Sequence, residues 1–125
     1  MVDIEVVNPG SPVAGPYSPA IKAGNLLFIS GQIAKQGATD IKEQTQSCLE
    51  SIKTIVEAAG GTVSNIVKMC VFMTNIKDFG KMNRVYKKFF EDNGNPKKFP
   101  ARSTVEVAAL AIESLLIEIE AIALI

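Results

Sequence analysis

The segment from Asp40 to Ala59 constrains the fold of this chain more than any other. Ile41, Thr45, Cys48, Leu49, Ile52, Ile55, Val56 and Ala59 recur at the i, i+3, i+4, i+7 spacing of one helical face. Asp40 can accept from the free N–H groups of the first turn, and Glu43, three residues on, predicts the reciprocal half of a capping box. Gly60-Gly61 predicts the stop. A helix with a single apolar stripe must bury it against a second layer.

That layer is legible on both sides of the helix. Val2 to Val7 alternates as a short strand, and Asn25 to Gln32 contains the apolar run Leu-Leu-Phe-Ile. Between them, Asn8 to Pro19 carries the Pro, Gly and Ser of a loop. Asn65 to Thr74 is rich in β-formers. Phe79, Met82, Tyr86 and Phe89 then mark a second amphipathic helix, with Asp78 as its expected cap and Gly94 near its end. Ser103 to Leu110 and Leu115 to Leu124 close the chain as two strands. The order β-β-α-β-α-β-β predicts an α+β fold, with both helices on one face of a single mixed sheet. The 125 residues suit one domain, 1–125, with no linker or repeat.

Strand alternation divides the last two strands into faces. Ile117, Ile119, Ala121 and Ala123 share one face, and Glu118, Glu120, Ile122 and Leu124 the other. In the strand before, Ser103, Val105, Val107 and Ala109 oppose Arg102, Thr104, Glu106, Ala108 and Leu110. The apolar faces are expected under the helices. If the strands form a hairpin around Ile112-Glu113-Ser114, Ala108 lies opposite Glu118 and Glu106 opposite Glu120, and Arg102 shares their face. A face mixing charge with Ile and Leu suits a subunit interface that encloses polar pockets.

Composition removes several chemistries. The chain has no histidine, which excludes Ser-His-Asp and Cys-His nucleophilic systems within it. Acid–base work falls to Glu, Asp, Tyr, Lys, Cys or water. Cys48 and Cys70 are too few for a zinc site without histidine, and read as buried, reduced thiols. No metal or other cofactor is expected. Thirteen basic residues balance thirteen acidic ones, which disfavours nucleic acid as the main partner. The Lys97-Lys98 and Lys87-Lys88 pairs read as solvated faces. The acidic start and the lack of a long apolar run predict a cytoplasmic protein with no membrane partner.

Five segments carry a resemblance. Gly15-Pro16-Tyr17-Ser18-Pro19-Ala20, Ile29-Ser30-Gly31-Gln32-Ile33, Met82-Asn83-Arg84-Val85-Tyr86, Pro100-Ala101-Arg102-Ser103 and Ile117-Glu118-Ile119-Glu120-Ala121 resemble the RidA (YjgF-type, reactive intermediate deaminase) family, in order over almost the whole chain. The resemblance implies a YjgF-like, chorismate-mutase-like fold in a homotrimer, with clefts between subunits and no cofactor. The reaction it implies is hydrolysis of 2-imino (enamine) acids to 2-keto acids and ammonia.

On that resemblance, Arg102 anchors the substrate carboxylate and Glu118 handles the hydrolytic water. Tyr17 orients substrate or water, while Ser30, Gly31, Asn83 and Thr104 contact the substrate. By residue type alone, Arg102 could equally form a structural ion pair with Glu106 or Glu120, Glu118 could pair with a lysine, and Asn83 could be an exposed helix residue. The same pocket could bind a small carboxylate without turning it over, and ribonuclease activity has been attached to some relatives. Three departures from the family pattern stand out: Thr104 in place of a cysteine, a short Gln36–Thr39 bridge, and Leu110–Leu115 in place of a shorter turn.

Overall fold

The computed structural model describes residues 3–10, 12–94 and 98–125. Val2 of the first expected strand and Lys97 of the basic pair lie outside them. Six strands and two long helices follow in the order β1 (Ile4–Val7), β2 (Ala20–Ala23), β3 (Leu26–Ile33), α1 (Ile41–Ala58), β4 (Ile66–Met73), α2 (Phe79–Asn93), β5 (Ala101–Glu106) and β6 (Ile117–Leu124). The strands form one sheet in the order β1-β2-β3-β6-β4-β5. Only β4–β5 is parallel, so the sheet is mixed.

Helix α1 forms as its sequence predicts. The Asp40 carboxylate accepts from the Glu43 N–H at 2.8 Å, and Glu43 Oε1 accepts from the Asp40 N–H at 3.3 Å. Gly60, at φ +90°, turns the chain away, and the Gly61 N–H donates to the Val56 carbonyl at 2.9 Å. Helix α2 begins differently from the expectation. The Asp78 side chain caps nothing. A 3-10 turn over Ile76–Asp78 leads in instead, with Asn75 accepting from the Lys77 N–H and Glu106 from the Ile76 N–H. These two acceptors satisfy donors at the helix entrance, so Asp78 is not needed there.

Two further expectations are corrected. Strand β2 was not foreseen: Ala-Ile-Lys-Ala is short and has little β-propensity, and it pairs because Gly24-Asn25 makes a two-residue hairpin turn to β3. Gly24 has φ +60°, as the first position of such a turn requires. The predicted β5–β6 hairpin does not form, because β4 lies between the two strands. The register pairs Arg102 with Met69, Thr104 with Val71 and Glu106 with Met73. It pairs Glu118 with Phe72 and Glu120 with Cys70. Directly paired residues share a face. Arg102, Thr104 and Glu106 therefore lie on the helix side, while Ser103 and Val105 join Glu118 and Glu120 on the open side. Sequence neighbours often pair but need not, and this parity error followed from assuming that they do.

The core lies between the sheet and the helices. Leu27, Met69, Val71, Ile117 and Ile119 rise from the strands to meet Leu49, Ile52 and Val56 of α1 and Met82 of α2, all nearly inaccessible. The opposite face of the sheet carries no layer. There Val6, Ile21, Phe28 and Ile122 form a cross-strand row, with Ile4, Ala23, Leu26 and Leu124 beside it. Ile4 is 67% exposed, Val6 59% and Phe28 43%. No helix among the described residues is long and apolar enough to cross a membrane.

Candidate active site

The expected site residues gather in two places. The first is on the open face, where β3 ends and β6 begins. Tyr17, Ser30, Gly31 and Glu118 share a cleft of about 600 Å³ with Ala14, Ile33, Ala111 and Ile112. Gly31 occupies a bulge between Ile29 and Gln32, where the register of β3 on β6 shifts. A Cβ at Gly31 would fall 2.8 Å from Glu118 Cδ, so only glycine lets the carboxylate lie against this strand. The Ser30 hydroxyl donates to the Ser18 carbonyl at 2.6 Å, and the Ser30 N–H donates to the Pro19 carbonyl at 3.0 Å, which ties the Pro-rich loop to β3. The Tyr17 hydroxyl accepts from the Ala14 N–H at 3.3 Å.

Glu118 has no hydrogen-bond or ion-pair partner among the described residues. Burial, and then the charge of Glu120, raise its pKa above the ordinary glutamate range. It is a carboxylate suited to accepting and returning a proton. Behind it, burial and then the charge of Glu118 push the Cys48 thiol up to about 12, so this cysteine stays protonated. Cys48 is buried as expected, but Cys70 is only partly so. Its side chain shares the open face with Glu120 and Ser103.

The second place is the outer edge of the sheet, on the helix side. Arg102, Asn83, Tyr86, Lys87, Phe99 and Pro100 line a hollow of about 320 Å³. The Arg102 guanidinium carbon lies 4.6 Å from the centre of the Tyr86 ring and 5.6 Å from that of Phe79. Its Nη1 is 3.9 Å from the Met82 sulfur. Neither carboxylate suggested as an ion-pair partner engages it. Glu106 accepts from the Ile76 N–H, and Glu120 faces the other side of the sheet. The single ion pair among the described residues joins Lys88 to Asp92. The guanidinium face is thus covered by aromatic rings, and no carboxylate occupies its N–H fork.

Burial pushes the Tyr86 phenol up to about 12 against the opposing charge of Arg102. Sequence periodicity marked Tyr86 only as part of the α2 stripe, so its role as a platform for Arg102 was missed. Ala111 and Ile112 belong to the Leu110–Leu115 segment, whose counterpart in the family approaches the pocket, and here they line the cleft. Thr104 lines neither hollow, and its hydroxyl is buried with no partner.

Within one chain the two places cannot act together. Arg102 and Glu118 stand two strand spacings apart across the sheet, about 10 Å, and three residues apart along it, about 10 Å more, on opposite faces.

Comparison with known proteins places this geometry. The endoribonuclease L-PSP family profile matches residues 9–125. The chain belongs to the RidA/YjgF family. A RutC family protein of Pyrococcus horikoshii is 50% identical over 115 residues, covering 87% of this chain and 86% of the relative. A protein of Escherichia coli (strain K12) named "Putative reactive intermediate deaminase TdcF" is 42% identical over 114 residues, with 87% and 86% covered. Among solved structures, E. coli TdcF with bound serine superposes with a TM-score of 0.88 at 38% identity, covering 97% of this chain and 98% of that one. The YjgF gene product of E. coli gives 0.87 at 40% identity, with 96% and 98% covered. This RidA/YjgF chain therefore has the six-stranded mixed sheet and paired helices of a YjgF-like α+β fold.

Proposed function

We propose that the chain hydrolyses 2-imino acids to 2-keto acids and ammonia in clefts built from two copies, within a homotrimer. The observation that carries this reading is the division of the site. Among the described residues, one chain presents at its edge a guanidinium that no carboxylate engages and on its open face a carboxylate with no side-chain partner. A neighbouring copy that lays the Arg102 edge against the Glu118 cleft completes a site that neither surface forms alone. It also covers the apolar rows of the open face, whose exposure is otherwise unfavourable. The relatives named as reactive intermediate deaminases and the serine held by TdcF support a ligand of amino-acid size.

The chemistry follows from the groups available. Arg102 holds the substrate carboxylate through two parallel N–H···O bonds, with Asn83 beside it. With the imine protonated on nitrogen, Glu118 accepts a proton from water as its oxygen adds to the imine carbon, giving a neutral carbinolamine. Glu118 then delivers that proton to the amine nitrogen. The C–N bond breaks as the hydroxyl proton passes back to Glu118, which releases ammonia and the keto acid. Tyr17 orients the water, and Ser30 and Gly31 shape the floor. Thr104, set apart from both hollows, is the weakest member of the proposed substrate-binding group.

The test couples a serine or threonine dehydratase to the protein and follows loss of the imine. The native chain should accelerate that loss, and Arg102→Lys should remove most of the acceleration while keeping the fold. Lysine retains the charge without the fork, a difference of about 2–4 kcal/mol if the contact is made in the transition state. Unchanged turnover in a folded Arg102→Lys protein would refute the anchor. The match to the endoribonuclease L-PSP family favours one other reading, ribonuclease activity, but the balanced charge gives little to hold a phosphate backbone. RNA cleavage without imine loss in a parallel sample would favour it.

A further inference from the structure

The connection between β5 and β6 forms one wall of the Glu118 cleft, through Ala111 and Ile112. It contains no strand or helix, yet it is anchored at several points. Gln44 of α1 is only 2% exposed, inside an otherwise mostly apolar helical stripe. Its Oε1 accepts from the Leu116 N–H at 2.8 Å, and its Nε2 donates to the Ser114 carbonyl at 3.2 Å and the Ala38 carbonyl at 3.3 Å. A buried amide requires such partners, and here they fix two connections to one helix. The Leu115 N–H donates to the Ile112 carbonyl at 3.1 Å, and the Thr74 N–H to the Leu116 carbonyl at 3.1 Å. Ile112 remains 46% exposed, an apolar side chain held at the cleft and not packed into the core.

A trigonal imine carbon has three substituents in its plane: the carboxylate, the nitrogen and the side chain. With the carboxylate on Arg102 and the nitrogen near Glu118, the side chain meets the remaining wall, where Ile112, Ala111 and Ile33 offer only apolar surface. We propose that Ile112 is a specificity-determining residue, selecting imino acids with branched aliphatic side chains, and that Gln44 is the positioning residue that sets it there. This inference rests on the proposed deaminase reading.

The test compares the imine of leucine with that of alanine, generated in place by an amino-acid oxidase with catalase present. In the native protein kcat/KM should favour the leucine imine. Ile112→Ala should lower that ratio of the two kcat/KM values about tenfold, the scale of a change of one methylene or more in an apolar pocket. Gln44→Met keeps the length but removes the amide, which releases the loop. It should erode the same ratio per folded protein, which loss of stability alone would not do. A preference that Ile112→Ala leaves unmoved overturns the inference while leaving the deaminase reading intact.

Calorimetric binding of 4-methyl-2-oxopentanoate against pyruvate reads the same wall without turnover. If the native protein hydrolyses neither imine, the deaminase reading fails. The inference, which rests on that reading, then fails with it, whatever Ile112→Ala does to the keto-acid ratio. Binding of neither keto acid overturns both.

Discussion

Arg102 suits the proposed anchor role because, among the described residues, no carboxylate engages its guanidinium. Tyr86 and Phe79 cover the guanidinium without neutralising it. Such a contact is worth about 0.5–2 kcal/mol, so Tyr86→Leu should weaken binding of an unreactive keto acid roughly two- to thirtyfold. Tyr86→Phe keeps the ring beside Arg102, so it should retain most of the binding that Tyr86→Leu loses. Calorimetry on both variants checks this. Glu118 poses the opposite case, a charge that burial disfavours. Its folded pKa is raised, so the cost of ionising it is absent below the ordinary glutamate range and complete above the folded value. Glu118→Gln should raise the melting temperature at neutral pH, and the gain should fade as pH falls through the raised folded pKa and be gone below the ordinary glutamate range. The same substitution should depress turnover far more than keto-acid binding. A melting temperature that falls at neutral pH would show Glu118 to be a structural partner instead.

At the scale of elements, α1 is the most locally determined part of the chain. Its cap, stripe and stop are each written in adjacent residues, and each appears in the structure. Asp40→Ala should cost about 1 kcal/mol, seen as a lower urea midpoint with an unchanged slope. The strands were legible as segments but not as a sheet. Periodicity assigned Ile117, Ile119, Ala121 and Ala123 to the covered face correctly, since one strand's alternation needs no partner. It could not tell that β4 would separate β5 from β6, because strand order is decided by packing across distant sequence. That single unknown moved Arg102 to the face opposite Glu118. Ala20–Ala23 stayed hidden for a related reason, since a four-residue strand with little propensity is stabilised mainly by its neighbours. The candidate site residues come from motif resemblance, while their division into two surfaces needed the register.

At the scale of the molecule, a sheet with a bare apolar face and a site split across its two sides points to assembly. Phe28 lies in the central row of that face. Phe28→Arg should yield a folded single chain in sedimentation, with native helical circular dichroism and no deaminase activity. Two copies sharing a cleft meet through different surfaces, which gives a head-to-tail ring. The proposed cleft permits a direct test, because it would draw Arg102 and Glu118 from different chains. Arg102→Lys and Glu118→Gln proteins, each nearly inactive, should be unfolded, mixed in equal amounts and refolded together. Random assembly leaves about a quarter of the clefts with both native residues, so roughly a quarter of native turnover should return. If both residues of a cleft belong to one chain, no mixture can restore a native pair. Recovery no greater than the average of the two separate variants would contradict the account.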